Sequence, residues 1–427
     1  MVTPDARLIA FHLPQFHPIP ENDAWWGTGF TEWTNVVKAR PQYEGHYQPH
    51  LPADLGFYDL RLPEARAAQA DLAKAYGIEG FCYYYYWFGG KRLLERPIEA
   101  MLAERAPDMP FCLCWANENW TRRWNGDERD VLMAQQHSPE DDEAMMRDVV
   151  RYFADPRYIR VAGRPMLLVY RLDILPDPVA TVRRWRAACN ALGVGDPYLC
   201  AVQSFGVQDP TSFGFDAAVE FPPHGVVPAE ITSLNARGHG FRGRVLSYED
   251  TVRFALAKPP VKYARYRGVM PSWDNTARKP NFGHCYQGSH PLVYRAWLAA
   301  AIEEARVNTT LAAPFVFINA WNEWGEGCHL EPDQCYGHDW LRATRAALTQ
   351  GPAPASVMTA LLAGARPTNG ETMPEADWQT LDLAGTADAP RITWHSRQFM
   401  RVRFWINQRP ALKRALRPLA RLAGLVD

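Results

Sequence analysis

Short apolar runs rich in β-branched and aromatic residues, each bounded by glycine or proline, recur through the first 350 residues. Eight stand out: 7–12 (RLIAFH), 80–87 (GFCYYYYW), 110–115 (PFCLCW), 165–170 (PMLLVY), 197–203 (PYLCAVQ), 216–221 (DAAVEF), 267–273 (RGVMPSW) and 313–321 (APFVFINAW). Several are almost continuously apolar, as parallel strands buried on both faces are. Helical patterns separate most of them. One spans 62–76 and stops at Gly77; a second follows Ser138 and Pro139 through Phe153. Others span 178–192, 247–258, 289–306 and 338–349. Only the connection around Pro210, between the fifth and sixth runs, is too short for a full helix. Eight strand-then-helix units predict an α/β fold, a (β/α)8 TIM barrel with long βα loops over residues 1–350; an open doubly wound sheet is the alternative.

Beyond the barrel, residues 351–390 are rich in Ala, Pro, Gly and Thr and read as a linker. Residues 391–427 interleave nine Arg or Lys with apolar positions against Asp427 alone, a basic amphipathic helical segment of net charge +8. The formal total of −1 therefore hides −9 on the first 390 residues. The basic segment either docks on the anionic inner leaflet of a membrane or packs as a terminal helix on the acidic barrel.

With 47% hydrophobic and 22% charged residues the chain is too apolar for disorder, and its balanced charge argues against a nucleic-acid partner. The first apolar run is cut at Pro14, too short for a secretory signal, and no stretch of 18 apolar residues exists for a membrane span. The eight cysteines form no C-x-x-C pair. A cytoplasmic, thiol-bearing protein is expected, and Cys82, Cys112, Cys114 and Cys200, on predicted strands, read as small core residues.

In a barrel, chemistry sits at the C-terminal ends of the strands. Ten of the sixteen tryptophans fall at those ends or in the loops that follow, which assigns them to a site rather than to core filling. Aromatic planes stack on pyranose C–H faces, while amides and carboxylates take the hydroxyls. The expected sugar-binding residues are His12, Tyr85, Trp87, Trp115, Asn117, Glu118, Trp120, Glu220, Trp273, Asp274, Asn319, Trp321, Asn322 and Trp324. A hydrophobic ligand or a protein partner would use the same aromatics, but not so many carboxylates and amides.

Glycoside chemistry asks for two carboxyl groups, one protonated and one ionised. Glu323 and Glu326, in Asn322-Glu-Trp-Gly-Glu-Gly327 after the eighth strand, are the best-placed pair; an apolar wall from Trp321 and Trp324 would raise a neighbouring carboxyl pKa. The alternative is two solvated loop glutamates. Arg122-Arg123 suits an anionic group or a surface pairing with Asp127 or Glu128. His12, His17, His46 and His50 share one long loop, and His46-Tyr-Gln-Pro-His50 has H-x-x-x-H spacing, but no H-E-x-x-H occurs and no metal is expected. No cofactor is expected either. Gly238–Gly243 matches G-x-G-x-x-G without the strand and helix that a dinucleotide site needs, Gly90-Lys91 is followed by Arg92, and no D-x-D pair occurs.

The run Asn322-Glu323-Trp324-Gly325-Glu326-Gly327, followed by Glu331, resembles the N-E-W-x-E-G signature of glycoside hydrolase family 99, the endo-α-mannosidases and endo-α-mannanases. Residues 77–83 and 10–14 match more loosely. The region from about 6 to 350 looks like the bacterial WbsX-type, family-99-like proteins found with polysaccharide or O-antigen genes and often labelled glycosyltransferases. The resemblance implies a (β/α)8 barrel and a retaining, metal-free hydrolysis of α-linked mannose-type sugar. By position, Glu323 would deprotonate the sugar's own 2-hydroxyl, and Glu326 would act as acid and then as base for water. A glycosyltransferase or transglycosylase of polysaccharide assembly is the second reading, and a carbohydrate-binding protein without activity the third.

Overall fold

A computed structural model of the chain describes residues 6–351 apart from 123–129, 234–235 and 237–238. The predicted linker 351–390 (beyond Gly351) and basic segment 391–427 lie outside the described residues, as do Trp124 and Arg123. Eight parallel strands close on themselves: β1 (Arg7–His12), β2 (Ile78–Phe88), β3 (Phe111–Trp115), β4 (Arg164–Val169), β5 (Tyr198–Gln203), β6 (Ala217–Glu220), β7 (Arg265–Val269) and β8 (Phe315–Ile318). The register runs from Leu8 opposite Ile78 round to Arg7 opposite Phe315, so β8 pairs with β1 and no edge strand is left. This is the (β/α)8 barrel that the spacing of apolar runs predicts.

Two short helices, Pro20–Trp26 and Glu32–Lys38, lie within the loop after β1; the helices between and after the strands are α1 (Pro63–Ala75), α2 (Arg96–Glu104), α3 (Pro139–Phe153), α4 (Pro178–Ala191), α5 (Tyr248–Leu256), α6 (Pro291–Val307) and α7 (Asp339–Gln350). Their starts are set by local chemistry. Ser138 Oγ accepts from Asp141 N at 3.1 Å before α3, and Ser247 Oγ accepts from Asp250 N at 3.1 Å before α5. Between β5 and β6 there is only a single 3-10 turn, Thr211–Phe213, as its length requires.

Inside the barrel, the Phe11 ring lies 4.8–5.9 Å from Tyr84, Phe221 and Phe317. Cys82, Cys112, Cys114 and Cys200 are free and buried, small residues that let these rings fit. Strand seven is shorter than the 267–273 predicted: it ends at Val269, and Pro271, with no N–H for the ladder, belongs to the segment that leaves it. The four residues gained by the loop carry Trp273 to the barrel mouth. No helix among the described residues is long and apolar enough to cross a membrane.

Glu220, expected to touch substrate, instead ties the wall together. It is buried, and its Oε1 lies 3.0 Å from Lys258 Nζ and 3.1 Å from Arg267 Nη1, with Arg265 Nε at 3.7 Å. Removing Glu220 leaves Lys258 without its carboxylate beside two buried arginines, whose remaining acidic partner is Glu304, 3.2 Å from Arg267 and 3.8 Å from Arg265. Glu220→Ala is therefore expected to cost about 3–5 kcal/mol in chemical denaturation; an unchanged midpoint would contradict this structural role.

Candidate active site

Side chains alternate across a strand, so the aromatic run of β2 divides between two faces. Tyr84 and Tyr86 point into a cleft of about 470 Å³ at the C-terminal mouth of the barrel. Tyr85 and Trp87 point the other way, onto α3: Tyr85 Oη donates to Asp148 at 2.8 Å and Trp87 Nε1 to Asp141 at 2.9 Å. Trp115 does the same, edge-on to Trp185 of α4 at 5.8 Å. The cleft is lined further by Gln15, Trp26, Glu118, Trp120, Tyr170, His224, Trp273, Arg278, Tyr286, Glu323 and Glu326. It is concave, aromatic and polar, as a sugar site has to be.

After β8, Asn322–Glu323 pairs antiparallel with Cys328–His329, and the 3-10 turn Trp324–Glu326 is held between them. This small hairpin presents both glutamates to one arginine. Arg278 Nη2 lies 2.9 Å from Glu323 Oε2 and Nη1 lies 2.8 Å from Glu326 Oε1. Its Nε donates at 2.8 Å to Glu32, a fully buried carboxylate from the loop after β1. The two glycines of the motif make this possible. A Cβ on Gly325 would come 1.8 Å from Glu32 Oε1, and Gly327, at φ +54°, lies against Asp274.

Three carboxylates thus share one guanidinium. Burial pushes the Glu323 carboxyl up to about 8, against the pull of Arg278 and with the push of Glu326 and Glu32. Burial raises Glu326 as well, and Arg278 again opposes it. Arg278 itself stays charged, because the attraction of the three carboxylates outweighs its own burial. Burial thus favours the neutral form of each carboxyl group, while Arg278 favours the ionised form of both. Glu323 is the deeper, with 6% of its side chain exposed against 23% for Glu326. His224 also lines the cleft; burial holds it down at about 4, so it is a neutral hydrogen-bonding group, 3.0 Å from Tyr170 Oη.

Of the expected site residues, the structure brings Glu323, Glu326, Glu118, Trp120 and Trp273 into the cleft. The others lie outside its lining. Asn322 is buried and ties the hairpin to the first loop through Leu13 N (2.7 Å) and Leu13 O (3.0 Å). Asn117 does likewise with Arg171 N and O at 2.8 and 2.7 Å. Asn319 donates to Pro222 O at 2.7 Å. His12 is buried against Phe81 and Tyr83, 3.2 Å from Gln69. Trp321 is buried 5.3 Å from Phe81. Trp324 is buried with its indole N–H on Glu331 at 2.6 Å, and burial pushes that carboxyl up to about 7. Asp274 caps the 3-10 turn Asn275–Ala277 that leads into Arg278 and accepts from Gln48 at 2.9 Å, with His46 at 2.7 Å. Burial pushes Asp274 upward, but its partners outweigh this and hold it below the usual range.

The tryptophans at strand ends therefore divide: Trp26, Trp120 and Trp273 face the cleft, while Trp87, Trp115, Trp321 and Trp324 brace it from behind. Sequence reasoning missed Tyr84, Tyr86, His224, Glu32 and Arg278. For the two tyrosines the period-2 rule puts them on one face without telling which face; for Glu32, at the start of a short helix, and Arg278, on a loop 246 residues away, the sequence carried no signal. Arg122 pairs with Asp130 at 2.5 Å and lies over the Trp26 ring. A second group, His50, His329 and Asp333, is close enough to hold a metal ion.

Residues 8–344 match the family described as "Glycosyltransferase WbsX". The chain is 52% identical over 348 residues to the uncharacterized protein WxcX of Xanthomonas campestris pv. campestris, in two strains; the match covers 81% of this chain and 50% of WxcX. The chain thus spans about half the length of the curated relatives it matches. Among solved structures it superposes on a "glycoside hydrolase-like protein" with TM-score 0.52 and 15% identity, over 82% of this chain and 95% of that one. A GH99 endo-α-mannosidase from Bacteroides thetaiotaomicron gives TM-score 0.50 and 15% identity, over 84% of this chain and all of that one. At that identity the likeness is one of fold.

A methyl group on Gly325 has to displace Glu32 or Arg278. Gly325→Ala is expected to fold with a loss of about 1–3 kcal/mol in denaturant titration at neutral pH; full stability would show that the three-carboxylate contact is dispensable.

Proposed function

Since the chain belongs to the WbsX glycosyltransferase family, and two carboxyl groups held on one guanidinium face its cleft, we propose that it is a retaining glycoside hydrolase. Its substrate is an α-linked, manno-configured glycan, of mannose or rhamnose, in bacterial surface polysaccharide. The observation that carries this reading is the Glu323–Glu326 pair held on Arg278. Two carboxyl groups at one site, one protonated and one ionised, supply the acid and the base that the chemistry needs.

In this reading Glu323 takes the proton of the sugar's 2-hydroxyl as O2 attacks the anomeric carbon. Glu326 gives its proton to the departing glycosidic oxygen, leaving a 1,2-anhydro sugar. Water then attacks that carbon, giving a proton to Glu326, while O2 leaves the carbon and recovers its proton from Glu323. The axial 2-hydroxyl of a manno sugar suits this back-face attack. The deeper placement of Glu323 and the more open placement of Glu326, which has to meet leaving group and water, support the roles. Trp120 and Trp273, with Tyr84 and Tyr86, supply stacking faces; Glu118, fixed by Arg171 at 2.9 Å, and neutral His224 supply hydroxyl partners.

The family description favours a second reading, transfer of the glycosyl unit to another sugar. Incubation with α-mannan and α-rhamnan oligosaccharides, with and without sugar nucleotides, separates the two by the masses of the products. Product without a nucleotide supports hydrolysis; product only with one overturns it. Glu323→Gln and Glu326→Gln are each expected to lower kcat about 10²- to 10⁴-fold with the fold intact; near-normal rates would remove the pair from the chemistry.

The pH profile has a sign of its own. Glu323, the base in this reading, acts only when ionised, and burial pushes its carboxyl up to about 8, so the rate rises as pH climbs toward that value. The charge of Glu32 helps to hold Glu323 up. In Glu32→Gln the rising limb of kcat/KM is expected to move to lower pH; a limb that stays or moves up would disprove the coupling.

A further inference from the structure

Behind the glutamate hairpin lies a second pocket, of about 290 Å³, separate from the cleft although Trp273 and Tyr286 border both. His50 and Asp333 line it. At its inner end His50 Nδ1 and His329 Nε2 lie 3.1 Å apart, and Asp333 Oδ2 lies 3.7 Å from His329 Nε2. All three side chains are buried and their donor atoms converge within 4.8 Å. We propose that His50, His329 and Asp333 form a binding site for a divalent cation of the zinc class, with its fourth position open to this pocket.

Three observations support the assignment. The first is distance: ligands at zinc bond lengths of about 2.0–2.1 Å in a tetrahedron stand ~3.3 Å from one another. Two of the three separations, 3.1 and 3.7 Å, bracket that edge, and the third, from His50 to Asp333, lies within 4.8 Å.

The second is proton placement. His329 Nδ1 lies 3.0 Å from the carbonyl of Glu331, which can only accept, so Nδ1 carries the hydrogen and Nε2 presents a lone pair to the cluster. A carbonyl fixing the far nitrogen in this way is the usual support of a metal-bound imidazole.

The third is charge. Asp333 is 1% exposed, and its Oδ1 accepts from Cys335 N at 2.8 Å and Tyr336 N at 2.5 Å. Its Oδ2 meets no arginine or lysine among the described residues, only the ring of His329. Two imidazoles and one carboxylate, brought together from positions 50, 329 and 333, form a nitrogen and oxygen donor set that a zinc-class cation prefers and that would otherwise bury an uncancelled negative charge. The pocket supplies both an entry path and room for a water as fourth ligand.

Such an ion would fasten the loop after β1 to the loop after β8. The His329 ring stacks on Trp324 at 3.7 Å, and Trp324 stands between the two cleft glutamates in sequence, so the ion would brace the hairpin that carries them. None of the three ligands lines the cleft, so metal binding stands or falls apart from the glycosidic reading.

The test uses the full chain, purified without metal affinity and stripped with chelator, then titrated with zinc chloride against a chromophoric chelator. The expected result is one equivalent per chain with a dissociation constant of about 1 µM or tighter, and visible absorption bands of tetrahedral cobalt when cobalt replaces zinc. Asp333→Asn and His50→Gln are each expected to weaken binding more than about 100-fold, since even supporting residues cost 10–100-fold. Glu323→Gln should bind as the unaltered chain does. Circular dichroism checks that each variant is folded; if one is not, the cobalt spectrum of the unaltered chain decides. Absence of stoichiometric binding, no tetrahedral cobalt bands, or equal affinity in the folded variants would each overturn the site and leave an ordinary imidazole–imidazole hydrogen bond.

Discussion

The guanidinium of Arg278 holds the mouth of the barrel together. Its Nε and both Nη nitrogens each meet a carboxylate, and those carboxylates arrive from two distant loops: Glu32 after β1, Glu323 and Glu326 after β8. Arg278 itself arrives from a third, after β7. Without it three buried acids would face one another in a low dielectric, where like charges repel strongly. With it, one positive charge still meets three potential negative ones. The contact that closes the loops therefore also sets how readily the two glutamates facing the cleft ionise.

Around this centre the sequence spends polar residues on loops rather than on ligand. Asn322 bonds the main chain of Leu13, Asn117 that of Arg171, and Glu331 collects the hydroxyl of Tyr58, the amide of Gln69 and the indole of Trp324. Each is buried, and each joins two segments far apart in sequence. A site that has to hold two carboxyl groups to within a fraction of an ångström needs such a supporting shell. These residues look like ligand contacts in sequence because they sit at strand ends among aromatics, which is also where loop anchors have to be.

That ambiguity marks what could be read from the chain. The barrel was legible because glycine and proline punctuate its strands and because Ser138 and Ser247 announce their helices. The glutamate pair was legible because its spacing is local. The facing of β2 was not: GFCYYYYW is apolar on both sides, so no polar alternation tells Tyr84 and Tyr86 from Tyr85 and Trp87. Strand seven was read too long because Trp273 prolongs an apolar run past Pro271. Arg278 and Glu32 meet only through closure of the barrel, which brings loops one, seven and eight together.

The hairpin after β8 has two faces, and this limits how freely either can change. One side presents Glu323 and Glu326 to the cleft; the other stacks Trp324 on His329, at 3.7 Å, with Trp33 tilted against it at 5.5 Å. Asn322 pairs directly with His329, and Glu323 with Cys328, so a shift in the returning strand moves the glutamate backbone with it. The histidine side thus acts on the cleft through register and stacking, without touching anything bound there. A substitution at His329 and one at Trp324 should not be independent, since they share one stack and one turn. The glutamates can be held as tightly as they are because the residues behind them have nowhere else to go.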